Sequence, residues 1–366
     1  MIAGEASGDL HGSNLMKALL AEDSELQFRF WGGDKMTAVQ DSGVKHISEL
    51  AFMGFIEVVM NLRTITANLK FCKQDILAFQ PDALVLIDYP GFNLRIAEWA
   101  KEHDIKVYYY ISPQVWAWKQ NRVHKIKKVV DKMFVILPFE KPFYEKFDYE
   151  VEYVGHPLLD EISQYNFEAT REEFRKRNGL SDKPIIAIVP GSRKQEVTTK
   201  LPIMIEATKG LGDYQLVIAG APSLPEEFYQ SLQKNVQVVY GETYELMFNA
   251  KAAIVTSGTA TLETALFKVP EVVCYRGSQI SYMIARRLIK VKFISLVNLI
   301  MDREVVKELI QNECRPDTIR AELERLLQDE AYIAQLKSDY DLLEQKLGGG
   351  GASQKVAQSL LKTIDQ

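Results

Sequence analysis

The sequence predicts an α/β protein of two doubly wound, Rossmann-like domains, each built on a parallel sheet with helices on both faces. Short β-rich apolar runs alternate with amphipathic helical stretches along almost the whole chain, which is typical of such sheets. With 366 residues the chain is also longer than one ordinary domain. The alternation breaks at residue 155. We therefore predict an N-terminal domain over residues 1–155, a C-terminal domain over residues 156–347 and a terminal segment over residues 348–366.

The predicted strands are short apolar runs that follow a first strand of only residues 1–3. In the N-terminal domain they cover residues 27–31, 83–87, 106–111, 133–137 and 151–154. In the C-terminal domain they cover residues 185–189, 215–219, 236–240, 252–256 and 272–275. Helical periodicity fills most intervals, for example residues 92–103 and 259–267.

Four glycines at residues 348–351 precede a last helix, residues 353–364. Its apolar side chains fall on one face, and a helix of this length is marginal in water unless that face is covered. We expect the helix to return to the N-terminal domain or to dock on a partner subunit.

Composition excludes several classes of protein. The formal net charge of −5 argues against a general nucleic-acid binder, so no nucleic-acid partner is expected. The three cysteines form no Cys-x-x-Cys pair, which argues against a zinc site or a disulfide framework and favours a reducing compartment. The first residues do not resemble a signal peptide, and no apolar run reaches the about 18 residues of a membrane span. A soluble or peripheral protein is expected.

A glycine-rich turn, GEASGD at residues 4–9, follows the first strand. Its glycines allow the backbone to approach a ligand, and Glu5, Ser7 and Asp9 are candidate substrate-binding side chains. The glycine spacing differs from the dinucleotide fingerprint. A tight strand-to-helix turn without a ligand is the alternative interpretation.

Asp88 directly follows a run of apolar residues, so it is expected at the tip of a central strand. A partly buried carboxylate there can act as a general base, because burial raises its pKa toward working pH. The alternative is a cap for the helix that starts near Phe92. The residues alone leave both interpretations open.

A second turn closes the strand at residues 185–189 and contains Gly191, Ser192 and Arg193. Free backbone N–H groups and a two-pronged guanidinium can hold a phosphate there. A surface loop with a solvated arginine is the alternative.

A third turn, Ser257-Gly258-Thr259, lies between a predicted strand and a predicted helix. The start of that helix favours a diphosphate, because its N–H groups are unpaired and its dipole is positive there. Glu263, four residues after Thr259, is a candidate partner of ribose hydroxyls. Alternatively, Glu263 only complements the helix dipole.

Residues 52–69 are more apolar than one core-facing helix face requires. The polar side chains mostly share one narrow stripe: Glu57, Asn61, Thr64 and Asn68. Complete burial and a membrane interface are both open interpretations. In the second, the lipid-facing side chains are Phe55, Ile56, Val58, Val59 and Leu62. Basic runs near residues 119–128 and 286–292 are either solvated faces or contacts with anionic lipid.

Motifs along nearly the whole chain resemble, in order, those of the lipid A disaccharide synthases. They lie at residues 4–9, 53–58, 87–88, 112–118, 137–140, 154–157, 190–193, 256–260 and 295–299. Each motif alone is weakly specific, and together they are highly specific. The first strand is shorter than in the family pattern, and Gly91 stands where some members carry Asp.

The resemblance implies the GT-B architecture, in which two doubly wound domains face a cleft, with the acceptor in the N-terminal domain and the UDP-sugar in the C-terminal one. It implies transfer of 2,3-diacylglucosamine from UDP-2,3-diacylglucosamine to the 6-hydroxyl of 2,3-diacylglucosamine 1-phosphate. The products are the β-1,6-linked disaccharide 1-phosphate and UDP. By position, Asp88 and Arg193 match essential catalytic residues of the family. Glu5, Glu263 and Asn298 match other substrate-binding positions.

The resemblance also implies an inverting displacement without a covalent intermediate, on the inner face of the cytoplasmic membrane of a Gram-negative cell. No cofactor is expected, and no Asp-x-Asp pair stands out as suited to a divalent metal. A homodimer is an option. The alternatives are a UDP-sugar epimerase, another UDP-sugar transferase of the same fold, or a non-catalytic lipid-binding protein.

Overall fold

A computed structural model of the chain describes residues 1–50, 62–165, 167–278, 282 and 291–364. The chain divides into two compact units: Met1–Asp160 with Gly349–Gln366, and Glu161–Gly348. Within the described ranges each unit is a parallel sheet with helices, which confirms the predicted fold class. The first division lies five residues after the boundary predicted at 155, and the second lies one residue after that at 347.

The described part of the first unit contains a seven-stranded parallel sheet in the order β3-β2-β1-β4-β5-β6-β7. Its strands are β1 (Ile2–Ala3), β2 (Phe30–Gly32), β3 (Gly43–His46), β4 (Leu84–Ile87), β5 (Val107–Tyr110), β6 (Lys132–Val135) and β7 (Glu152–Tyr153). Its helices are α1 (Ala6–Glu22), α2 (Asp34–Thr37), α3 (Leu62–Phe79), α4 (Pro90–Lys101), α5 (Val123–Val129) and α6 (Glu140–Glu145). Helix α7 (Pro157–Ser163) crosses the boundary between the units, and 3₁₀ turns cover Ile47–Glu49 and Gln120–Arg122.

The second unit contains, among its described residues, a six-stranded parallel sheet in the order β10-β9-β8-β11-β12-β13. Its strands are β8 (Ile185–Val189), β9 (Gln215–Gly220), β10 (Gln237–Tyr240), β11 (Ala250–Thr256), β12 (Glu271–Tyr275) and β13 (Lys307–Ile310). Its helices are α8 (Phe167–Arg177), α9 (Lys194–Ala207), α10 (Glu226–Leu232), α11 (Thr243–Asn249), α12 (Thr259–Leu266), α13 (Leu296–Met301), α14 (Pro316–Gln328) and α15 (Glu330–Lys346). A 3₁₀ turn covers Gln311–Glu313.

The central strands β4 and β8 are buried at every position, as expected for strands of a parallel sheet covered by helices on both faces. All four residues of β4 and all five of β8 are buried. Every predicted strand overlaps an observed one. The sequence prediction missed β3 and β13, which are edge strands with polar residues and therefore lack a continuous apolar run.

Helix α3 begins at Leu62, so Phe55, Ile56, Val58 and Val59 lie outside the described residues. Leu62 itself is 51% exposed. Asn68, one of the polar residues of the predicted stripe, is buried together with Cys72 and Asp75 on one face of α3. Asp75 accepts a hydrogen bond from Arg29 Nε at 2.7 Å, which compensates its burial. No helix of the described residues is long and apolar enough to cross a membrane.

The last helix, α16 (Ala352–Ile364), packs against α1 inside the first unit. Its side chains Val356, Ala357 and Leu360 are buried in the same apolar cluster as the central strands. The carboxylate of Asp160 accepts hydrogen bonds from the N–H groups of Gly351 and Ala352 at the start of this helix. These bonds satisfy donors that a helix start otherwise leaves unpaired.

Candidate active site

Two loops of the first unit interlock at the carboxyl edge of its sheet. Strands β1 and β4 are neighbours, with Ala3 paired to Ile87. Gly4 and Asp88 therefore leave the sheet side by side. A Cβ atom on Gly4 would lie 2.3 Å from the ring of Tyr89, so the contact between the loops requires glycine. Ligands of parallel sheets bind at this edge, which makes the paired loops a candidate site.

Asp88 is held in an unusual backbone conformation. Asp88 and Tyr89 have φ of 44° and 50°, in the left-handed region that costs a residue other than glycine about 1–3 kcal/mol. The Asp88 carbonyl accepts hydrogen bonds from the Tyr109 hydroxyl at 2.6 Å and the Asn93 amide at 2.7 Å. Its N–H donates to the Tyr110 carbonyl at 3.1 Å. The residue at the cap position of α4 is Tyr89, so the interpretation of Asp88 as that cap is wrong.

The Asp88 carboxyl is tuned toward proton transfer. Burial raises the pKa of Asp88 to about 6, and the neighbouring Glu5 carboxylate contributes to the rise. The N–H of Tyr89 donates to the carboxylate and partly opposes it. Such a group stays ionised at neutral pH yet binds a proton more strongly than an exposed carboxylate does. It can therefore accept a proton from a hydroxyl group that reaches this edge.

The predicted residues of the first turn have different surroundings. Glu5 is half-buried at the position that precedes α1, and Ser7 is exposed in the first turn of that helix. Because Glu5 acts on the pKa of Asp88, the structure brings these two carboxyl groups together. Ser7 is placed where a ligand can reach it.

Asp9 is a correction to the sequence prediction. Its carboxylate is buried and accepts hydrogen bonds from the N–H groups of Gly33 at 2.7 Å and of Lys35 and Met36 at 3.1 Å. These are the donors at the start of the short helix α2, which have no partner inside that helix. The prediction that Asp9 faces a substrate is therefore wrong, and we assign it to fixing α2.

The turn after β8 presents Arg193 at the start of α9. Gly191 has φ of +115°, and a Cβ atom there would lie 2.4 Å from a carboxylate oxygen of Glu196. Ser192 is exposed, and the side chain of Arg193 is 63% exposed. One guanidinium nitrogen of Arg193 lies 3.4 Å from Glu196. An exposed pair at this distance contributes little to stability.

The turn after β11 exposes the start of α12. The N–H of Ser257 donates to the Cys274 carbonyl at 3.2 Å, and its hydroxyl donates to the Ile294 carbonyl at 3.0 Å. Gly258 has φ of 153°, and Gly258 and Thr259 are both exposed. The cap residue Gly258 has no side chain to bond the N–H groups at the start of α12, and among the described residues only the N–H of Thr261 is bonded back to the Gly258 carbonyl, at 3.3 Å. The turn can therefore offer the N–H groups of Thr259 and Ala260 to an anion. Ser257 instead anchors the neighbouring segment through its hydroxyl.

Glu263 lies close to Glu161, which contacts Tyr244, and the sequence alone did not predict this group of three titratable side chains. Burial raises the pKa of Glu263 to about 7, and the neighbouring Glu161 adds to it. The hydroxyl of Tyr244 hydrogen-bonds to Glu161, and burial raises the pKa of Tyr244 strongly. These three residues are far apart in sequence, so no local pattern announces their contact. A carboxyl group with this pKa can accept or donate a hydrogen bond to a hydroxyl at neutral pH.

Asn298 is a second correction. It is fully buried, and its side-chain oxygen accepts hydrogen bonds from Val305 N at 2.7 Å and Val306 N at 3.0 Å. Its amide nitrogen donates to the Val306 carbonyl and to Glu308, each at 2.9 Å. Because these bonds satisfy both ends of the amide, the predicted contact with substrate is not supported. We assign Asn298 to holding the turn between α13 and β13.

Among the described residues, no group of three or more His, Cys, Asp or Glu side chains is arranged to hold a metal ion. Of the site residues predicted from the sequence, those of the first unit that can act on a substrate are Glu5, Ser7 and Asp88. In the second unit they are Arg193, the backbone at Gly258 and Thr259, and Glu263.

Comparison with known proteins matches this chain to one protein family along nearly its whole length. The family described as Lipid-A-disaccharide synthetase matches residues 1–360. The lipid-A-disaccharide synthase of Trichlorobacter lovleyi is 38% identical over 375 residues, which cover 100% of this chain and 97% of that protein. A second relative, from Geobacter metallireducens, is 39% identical and is covered over 96% of its length.

Solved structures agree on the fold. The UDP-GlcNAc 2-epimerase from Neisseria meningitidis bound to UDP-GlcNAc superposes with a TM-score of 0.68 at 14% identity, over 97% of each chain. Because this identity is low, the likeness supports the two-unit α/β fold and carries no conclusion about the reaction.

Proposed function

Since the chain belongs to the lipid-A-disaccharide synthetase family, we propose that it transfers 2,3-diacylglucosamine from UDP-2,3-diacylglucosamine to the 6-hydroxyl of 2,3-diacylglucosamine 1-phosphate. The products are the β-1,6-linked disaccharide 1-phosphate and UDP, so the chain is a hexosyltransferase of lipid A biosynthesis. The structural observation that carries the proposal is the half-buried Asp88 carboxyl beside Glu5, at the carboxyl edge of the first sheet.

Asp88 is the proposed general base. As the acceptor oxygen O6 attacks the anomeric carbon of the donor, its proton passes to the Asp88 carboxylate. The bond between that carbon and the diphosphate oxygen breaks in the same displacement, and UDP leaves with the electron pair. One displacement converts an α-linked donor into a β-linked product. Glu5 supports Asp88, because its negative charge raises the proton affinity of the base.

The second unit is the proposed donor site. Arg193 can grip the diphosphate through two parallel hydrogen bonds, and the start of α12 at Gly258 and Thr259 adds N–H donors. Both stabilise the negative charge that develops on the leaving group. Glu263 is the proposed partner of the ribose hydroxyls. Gly191 and Ser192 position Arg193, while Ser257 positions the turn before α12.

The proposal extends to a membrane, because both substrates carry acyl chains. We propose that the protein works on the inner face of the cytoplasmic membrane and contacts lipid through Phe55, Ile56, Val58, Val59 and Leu62. The exposed Leu62 at the start of α3 supports this. Association of two copies is a further proposal, which sedimentation equilibrium tests.

The decisive assay mixes UDP-2,3-diacylglucosamine with the 1-phosphate acceptor in detergent micelles and measures UDP release and product mass. We expect UDP and disaccharide in equal amounts. An acceptor that lacks the 6-hydroxyl is the matched control and should give neither. Isomerisation of the UDP-sugar without acceptor and without UDP release would instead identify an epimerase.

A further inference from the structure

The loop after β5 holds two cations against one exposed tryptophan. Trp118 is 39% exposed. The Lys119 ammonium lies 4.2 Å from the centroid of its ring, and the guanidinium carbon of Arg122 lies 5.8 Å from it. Residues 119–128 contain five lysines and arginines and no carboxylate. Two like charges gathered on one ring repel each other, and an anion between them would relieve this.

The loop around Trp118 is anchored on both sides. The hydroxyls of Ser112 and Tyr144 are hydrogen-bonded at 2.7 Å. The buried ring of Trp116 packs edge-on against Phe139, with centroids 4.9 Å apart. The Gln120 amide donates to the Trp116 carbonyl at 3.1 Å. Trp118 therefore projects from a fixed loop, and its two cations are presented by a defined backbone.

The position of the loop connects it with Asp88. Strands β4 and β5 are neighbours, and the N–H of Asp88 bonds to the Tyr110 carbonyl at the end of β5. The loop thus leaves the sheet beside the proposed base, at the same carboxyl edge. Among the residues that the structure describes, neither Lys119 nor Arg122 forms an ion pair with a carboxylate. Both cations are exposed and can reach a ligand.

We propose that Trp118, Lys119 and Arg122 form the binding site for the phosphate group of the acceptor lipid. A phosphate monoester carries about −1.5 to −2 charges at pH 7, which two cations neutralise. The arginine fork can bind two of its oxygens while the lysine acts as a point charge. The inference rests on the proposed function and deepens it, because it explains how an acceptor with a 1-phosphate is selected.

The test compares two acceptors in detergent micelles: 2,3-diacylglucosamine 1-phosphate and 2,3-diacylglucosamine without the phosphate. In the double variant Lys119→Gln/Arg122→Gln, we expect KM for the phosphorylated acceptor to rise about tenfold or more, since charge-assisted hydrogen bonds are lost. We expect kcat, UDP affinity and KM for the acceptor without phosphate to stay near wild-type values. A uniform loss of acceptor binding changes KM and leaves kcat in place.

The matched control is Lys127→Gln/Lys128→Gln, which removes the same charge from exposed positions of the same basic run. It should leave both KM values unchanged. An equal rise of KM in the control would overturn the proposal in favour of general electrostatic attraction. The phosphate group of an anionic phospholipid is the other ligand that these two cations could bind. If Lys119→Gln/Arg122→Gln lost binding to phosphatidylglycerol vesicles while KM in micelles stayed unchanged, the acceptor assignment would be wrong. If the wild-type enzyme formed no product from the phosphorylated acceptor, the proposed function itself would be wrong.

Discussion

At the scale of single residues, the surroundings of the Asp88 carboxyl favour its function at the expense of the stability of the folded protein. Its pKa is about 6 in the folded protein, against 3.8 for the unperturbed group. Between these values the folded state binds more protons than the unfolded state, so the contribution of this group to stability falls as pH rises. At neutral pH the carboxylate is therefore destabilising. Its left-handed backbone adds strain in the same place.

Asp88→Asn should nearly abolish turnover and raise stability. Loss of a general base commonly costs on the order of 10²- to 10⁴-fold in rate. Removal of this half-buried charge should add on the order of 1–3 kcal/mol to the free energy of unfolding at pH 7. Asn also tolerates the left-handed backbone. Steady-state kinetics and urea unfolding measure both effects, with UDP affinity as the control that should not change. Near-wild-type turnover would remove Asp88 from the mechanism.

The rate should also depend on pH through this group. Because the base must be ionised, kcat/KM should fall about tenfold for each unit of pH below the pKa of Asp88, about 6. Glu5→Gln should move this midpoint to lower pH, since it removes the negative charge that helps to raise the pKa. A pH profile of both proteins tests the prediction. A midpoint that stays in place would show that Glu5 does not act on the titrating group.

Arg193→Ala should weaken UDP binding and lower the rate, because the diphosphate loses a charge-assisted partner. Arg193→Lys should recover only part of both, since a point charge replaces a two-pronged donor. Calorimetric titration with UDP measures the binding. Lys194→Ala, a change of the next exposed cation, is the control. Equal UDP affinity in all these proteins would exclude Arg193 from the phosphate site.

Among single residues, sequence reasoning succeeds where a local pattern fixes the surroundings. Asp88 follows a buried strand, so its position at the edge of the sheet could be predicted. Asp9 and Asn298 have side chains that could bind a substrate, yet both are used in internal hydrogen bonds. The partners of Asp9 lie 24 to 27 residues further along the chain, and those of Asn298 lie 7 to 10 residues further along. The contacts of Glu263 with Glu161 and Tyr244 are equally non-local. Only the folded arrangement shows whether a polar side chain is used internally.

At the scale of elements, strands with continuous apolar runs were predictable, while the edge strands β3 and β13 were not. Helix α3 shows a second limit. Its buried face contains Asn68 and Asp75, and its exposed residues include Phe71 and Leu77. Periodicity locates the faces of a helix, but it does not show that polar residues share the buried face with the apolar Cys72 and Ile76. The neighbouring Arg29 makes burial of Asp75 tolerable.

Helix α3 offers a matched test of the membrane proposal, because Leu62 and Leu77 are 51% and 49% exposed. Leu62→Ser should weaken binding to lipid vesicles, and Phe55→Ser/Val59→Ser/Leu62→Ser should nearly abolish it while the protein stays folded. Leu77→Ser should have little effect, since it lies at the far end of the helix. Vesicle flotation measures binding and circular dichroism measures folding. Unfolding of the triple variant would show that this segment belongs to the core.

At the scale of the whole molecule, the first unit is assembled from both ends of the chain. Residues up to Asp160 and residues from Gly349 onward form one compact unit. The Lys106 ammonium donates to the Thr363 carbonyl at 3.0 Å, and the Gln358 amide donates to Glu22 at 2.9 Å. The amphipathic pattern of the last helix predicts that it docks, but it does not select the surface.

Deletion of everything after Leu347 should therefore unfold the first unit selectively. Val356 and Leu360 are fully buried, and burial of such a side chain stabilises by about 1.5–3 kcal/mol, a large share of the 5–15 kcal/mol of a typical domain. Leu360→Ala is the milder variant and should cost about 2–5 kcal/mol. Leu342→Ala, at a leucine that is 43% exposed on α15, is the matched control and should cost little.

Hydrogen exchange resolves the effect by unit: amides of β4 and β5 should lose protection in the deletion and in Leu360→Ala, while those of β8 and β11 keep it. Full protection of β4 and β5 in the deletion would show that the first unit is stable without α16, and equal loss in β8 and β11 would show that the two units unfold together.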